Sequence, residues 1–203
     1  MKKITIYMLG TILLLLAAGC AKAEEDKAII KHKTPSKHQE TFQELSLGKL
    51  REFELQYPKD ENTDTEIWID YYINGNKQSN PTSLTIRTVD ADNEKASLGM
   101  GLIRYQEKEP ILFLYGPNQS IKDKRSKEEM WGKLQISGWQ QHPGEKGITL
   151  ETNKEVVITA YAGTTSNETR MYDLSKKEEL KKLINTHEVV LLLKAKLTTL
   201  ESE

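Results

Sequence analysis

Chemistry in a protein needs side chains that can attack, titrate or ligate, and this chain has few of them: one cysteine and four histidines among 203 residues. Cys20 is the sole thiol, so no intrachain disulfide can form and no thiol or thiolate metal site exists beyond it. His32 and His38 flank Lys33-Thr34-Pro35-Ser36-Lys37. A proline between them and lysines beside them disfavour convergence on a cation, and a solvated segment is the expectation. His142, in Gln141-His142-Pro143-Gly144, reads as a turn residue, because a general base needs a carboxylate held within hydrogen-bond reach and the sequence shows none. His187 is expected to meet the last carbonyls of a helix.

Asp60, Asn62 and Asp64 alternate as oxygen ligands do in calcium loops, as do Asp90, Asp92 and Glu94. Such a loop needs glycine at its sixth place and glutamate at its twelfth, where the chain has Thr65 and Tyr71 in one case and Lys95 and Gly101 in the other. Both read as acidic surface turns, and no metal is expected. The hydrolase, zinc-protease, phosphate-loop and dinucleotide motifs are all lacking, so no cofactor is implied. Three tryptophans remain. Trp68 is expected mainly as core, whereas Trp131 and Trp139 are candidate binding residues, able to stack on a sugar ring or a partner's apolar patch.

The N-terminus is more specific. Lys2 and Lys3 precede an uncharged stretch from Ile4 to Gly19 that is too short to span a bilayer comfortably as a helix. It closes on Leu16-Ala17-Ala18-Gly19-Cys20. This combination of small residues before a unique cysteine resembles the lipobox of bacterial lipoproteins, with one departure: the leucine stands one place earlier than in the commonest pattern. The resemblance covers about a tenth of the chain. It implies that residues 1–19 are a signal peptide and that Cys20 becomes a lipidated N-terminus. The protein is then held by its acyl chains on the extracytoplasmic face of the cell membrane.

Residues 20–40 are rich in charge, with Ile29-Ile30 as the only sizeable apolar pair, and read as the lipidated cysteine followed by a disordered tether. Residues 41–203 form one domain. Basic and acidic residues nearly balance at 29 against 30, and the short cluster Lys122, Lys124, Arg125, Lys127 is diluted by acids, so no nucleic-acid partner is expected.

Period-two alternation dominates that domain. Phe53, Leu55 and Tyr57 alternate with polar residues, with Leu45 and Leu47 read as the opening of the same strand. Ile67, Ile69, Tyr71 and Ile73 define one face of a second strand, and Asn74-Gly75 follows as a type I′ hairpin signal. Further strands are expected over 98–105, 111–115, 133–140, 148–152, 156–162 and 189–200, the one at 111–115 as a central strand because it is apolar throughout. Ser175 and Glu178 have capping-box spacing ahead of a helix of about ten residues. The sum is a mostly β fold, an antiparallel β-sandwich or small barrel with one C-terminal α-helix before the final strand.

The expected role is a membrane-anchored envelope lipoprotein acting as a binding or protein-interaction module, with an envelope protein or glycan as partner. The alternatives are an enzyme acting on envelope material through His142 and nearby acids, or an accessory subunit of a membrane complex.

Overall fold

The computed structural model describes residues 27–34, 36–57, 63–79, 82–87, 95–107, 110–124, 130–141 and 147–200. Cys20, His142, the acidic turn at 90–94 and Arg125 and Lys127 of the basic cluster lie outside the described residues, as do Asp60 and Asn62. In chain order the elements are β1 (Ile29–His32), α1 (Lys37–Glu44), β2 (Gly48–Gln56), β3 (Thr63–Ile73), β4 (Asn76–Lys77) and β5 (Thr82–Arg87). There follow β6 (Lys95–Ile103), β7 (Ile111–Gly116), β8 (Gln119–Lys124), a 3-10 turn (Trp131–Lys133) and β9 (Ile136–Gln141). The chain continues with β10 (Ile148–Thr149), β11 (Glu155–Thr164), α2 (Lys177–Thr186) and β12 (Val189–Thr199).

The strands form two antiparallel sheets, ordered β10-β1-β2-β6-β7-β8 and β4-β3-β12-β11-β9, with β5 also paired to β3. They face each other as a sandwich, not a closed barrel. Alternation explains the layers: Phe53, Leu55, Leu98, Met100, Leu102, Leu112 and Leu114 from the first sheet meet Ile67, Ile69, Tyr71, Leu191 and Leu193 from the second in one core. The Val189–Leu193 run is apolar on both faces because both are buried. Its even members, Val190 and Leu192, pack with Leu183, Tyr172 and Leu174 in a second core beneath α2.

Asn74 and Gly75 both take positive φ, 48° and 78°, as a type I′ turn between β3 and β4 requires. The helix at 177–186 forms, but without the expected capping box. Its N-cap is Lys176, with no side-chain cap hydrogen bond, and Ser175 instead donates from its hydroxyl and its amide to Asp173 Oδ1 at 2.6 and 3.0 Å. Asp173 competes for Ser175 two residues away, closing an Asx turn ahead of the helix. At the other end, His187 Nδ1 lies 3.1 Å from Leu183 O, as expected, and burial lowers its pKa.

The tether is shorter than its composition suggests. Ile29–His32 pairs with β2 on one side and β10 on the other, and Ile30 is 1% exposed in the core. One isoleucine pair inside a charged run suffices when a strand is clasped on both edges. α1 is unexpected too, and Leu45 and Leu47, expected to open β2, lie exposed in the turn between the helix and that strand.

Candidate functional site

The outer face of the first sheet carries an arrangement built on two glycines. β6 reads Leu98-Gly99-Met100-Gly101-Leu102, so the inward residues are large and the outward ones have no side chain. Across the sheet Gly99 lies between Glu52 and Tyr115, and Gly101 between Leu50 and Phe113. The aromatic rings of β7 lie over these gaps toward β2: a Cβ at residue 99 would sit 2.4 Å from Tyr115 Cε1, and one at residue 101 would sit 2.3 Å from Phe113 Cζ. Phe113 and Tyr115 stack at 6.5 Å between centroids.

α1 lies over the same face. Ser36 caps it by accepting from Gln39 N at 3.2 Å, yet none of the helix's own residues is buried. Eight residues make a marginal helix alone, and contact with the sheet supports it. Phe42 meets Phe113 with centroids 5.7 Å apart, and His38 Nδ1 lies 3.0 Å from Glu52 Oε1. Between helix and sheet lies a cavity of about 250 Å³, lined by His38, Thr41, Phe42, Leu50, Phe113 and Tyr115.

Glu52 lies behind this wall and is 1% exposed. The Tyr115 hydroxyl donates to its Oε1, the oxygen that also faces His38. Burial, and then the hydrogen bond and charge of Glu52, push the Tyr115 pKa upward, so the phenol keeps its proton and remains the donor. Oε2 is buried and, among the described residues, has no hydrogen-bond partner. A desolvated carboxyl oxygen without a partner costs on the order of 1–3 kcal/mol.

The other tryptophan and histidine positions resolve differently. Trp131 is 2% exposed, stacked between Tyr71 and Tyr161, so it belongs to the core and offers no binding surface. Trp139 is half-buried, edge-on to Tyr161 and covered by the Arg51 guanidinium 5.2 Å from its ring centroid. Burial lowers the Arg51 pKa to about 10, and the guanidinium also donates to Thr159 Oγ1 at 3.2 Å.

Trp68 lines a second hollow, on the outer face of the other sheet, with Glu66, Asp70, Lys77, Glu155, Lys194 and Lys196. There Asp70 Oδ1 and Oδ2 meet Lys77 and Lys194 at 2.8 Å each, so the buried charge is already neutralised from within. Asp64, the one described member of the first acidic turn, lies on β3, 3.6 Å from Arg87 Nε. Among the described residues no group of three acids, histidines or cysteines is placed to hold a metal, and no helix is long and apolar enough to cross a membrane.

Sequence reading passed over Glu52, Phe42, Phe113 and Tyr115, and dismissed His38 as a solvated tail. The available signals were Gly-x-Gly within an otherwise apolar strand, Phe-x-Tyr in the next strand, and Ser36-x-x-Gln39 as a helix start. No family model, no curated protein and no solved structure matches the chain.

Proposed function

We propose that this protein is a lipid-anchored binding module of the cell envelope whose ligand site is the slot between α1 and the β2-β6-β7 face. The lipobox-like Leu16-Ala17-Ala18-Gly19-Cys20 supports the anchor. Cys20 stands seven residues before Lys27, and seven residues span at most about 25 Å fully extended, so a lipidated Cys20 would keep the sandwich close to the bilayer.

The observation that carries the binding role is the buried Glu52, whose Oε2 has no hydrogen-bond partner among the described residues, behind a cavity walled mostly by carbon. Such an arrangement reduces stability, and functional sites are where folds tolerate that. The volume of about 250 Å³ suits a small molecule or one head group, below the usual size of a drug-sized pocket.

Two measurements test the proposal. Cys20→Ser should release the protein from the membrane fraction and remove its acyl mass; unchanged lipid mass and partitioning would remove the anchor. Small apolar solutes of four to eight heavy atoms should raise the thermal midpoint of the wild-type protein with saturable dependence, and Phe113→Ala should suppress the effect. A panel that leaves the wild-type midpoint unmoved would remove the slot as a ligand site.

A further inference from the structure

We infer that the slot takes a quaternary ammonium group, a trimethylammonium head. This rests on the slot being a ligand site and specifies its chemistry.

Three observations converge on that group. Phe42, Phe113 and Tyr115 line one small cavity, and the face of an aromatic ring attracts a cation within about 6 Å through its quadrupole. Glu52 places an acidic side chain directly behind the wall, where a charge is poorly screened. Its Oε1 is occupied by Tyr115 and His38, and Oε2 has no partner among the described residues, so no protein cation fully answers it. By contrast, Asp70 on the other sheet is met by two lysines.

The third observation separates kinds of cation. The cavity wall offers few free hydrogen-bond acceptors: Leu50, Phe42 and Phe113 present only carbon, the Thr41 hydroxyl is turned to Lys37 O at 2.9 Å, and the Tyr115 hydroxyl and His38 Nδ1 are both turned to Glu52 Oε1. A primary ammonium has three N–H donors that would lose water without replacement, and each unsatisfied donor is unfavourable. A trimethylammonium has none. Its charge is spread over methyl groups that pack against rings as hydrocarbon does, while the field of Glu52 acts without a direct bond.

The test is calorimetric titration of the wild-type protein with choline, with 3,3-dimethylbutan-1-ol, which replaces the charged nitrogen by carbon at nearly the same shape, and with ethanolamine. Choline should bind about tenfold or more tighter than the neutral isostere, and ethanolamine should be the weaker cation. Glu52→Gln should abolish the preference for choline over the isostere, and Phe113→Leu should weaken choline more than the isostere. Phosphorylcholine in the same titration separates sources: tighter binding than choline assigns a head group carried on a phosphodiester, weaker binding a free solute. An isostere bound as tightly as choline overturns the cation and leaves the slot; ethanolamine bound as tightly overturns the quaternary requirement. If none of the compounds binds, the quaternary ammonium assignment is overturned, while the apolar-solute panel decides the slot separately. The wild-type comparison decides the matter even if a variant fails to fold.

Discussion

The indole Nε1 of Trp131 donates to the hydroxyl of Tyr71 at 2.9 Å, joining the 3-10 turn to the C-terminal part of β3 inside the sandwich. The two rings also stack, with centroids 6.3 Å apart. This pair closes the core where the chain passes from β8 to β9.

Trp131→Phe should therefore act on stability. It removes a buried donor and part of a buried ring, for a loss of about 2 kcal/mol in urea unfolding. Affinity for any ligand of the slot should be unchanged. A variant of wild-type stability that lost binding would return Trp131 to a surface role.

Gly99→Ala and Gly138→Ala form a matched pair. The new methyl at 99 would displace the Tyr115 ring, costing about 1–3 kcal/mol and disturbing the slot. At Gly138 an added Cβ meets nothing within 4 Å, so that variant should be neutral or slightly stabilised. Equal thermal midpoints for the two would mean that the ring does not lie over residue 99.

Much of this architecture was legible because alternation is a local signal: residues 67–73 and 98–102 announce which side chains face inward without reference to anything else. The hairpin at Asn74-Gly75 was legible for the same reason. β1 and α1 were not, because each is stabilised by distant partners: Ile29–His32 by β2 and β10, and α1 by Phe113 and Glu52. The strand at 111–116 was placed centrally for its apolar run, yet it lies one strand from the sheet's edge, and its outward aromatics are covered by a helix instead of a second sheet. A site assembled from three strands and a helix leaves no contiguous motif.

Asp70 gives a pH signature. Burial alone would push its pKa up, but Lys194 and Lys77 together outweigh that and hold it below the ordinary value of 3.8. A carboxyl with a depressed folded-state pKa contributes stability that is present above its unfolded pKa and is lost as pH falls through the folded one. Asp70→Asn should thus cost up to about 3 kcal/mol at pH 7, since it leaves the mostly buried Lys194 with only Glu155 at 3.5 Å, and the gap from wild type should narrow steadily below pH 4. A gap as wide at pH 2.5 as at pH 7 would show that the carboxylate charge contributes nothing.

Gly75→Val forces a β-branched residue to φ 78°, a left-handed conformation disfavoured by about 1–2 kcal/mol. Asn74→Gly, at φ 48°, should be tolerated. Thermal midpoints of the two variants check the turn, and a harmless valine would reject it.

The pairing of β12 with both β3 and β11 sets the order in which the molecule can be made. The register joins Thr63–Ile73 to residues 189–199, so the middle of one sheet is completed by a strand far along the chain from β3. Until then β3 and β11 each present an open hydrogen-bonding edge, and contacts of such long sequence separation form slowly. A chain ending before Val189 lacks the eleven-residue strand that joins β3 to β11, and is left with two open edges as templates for intermolecular pairing.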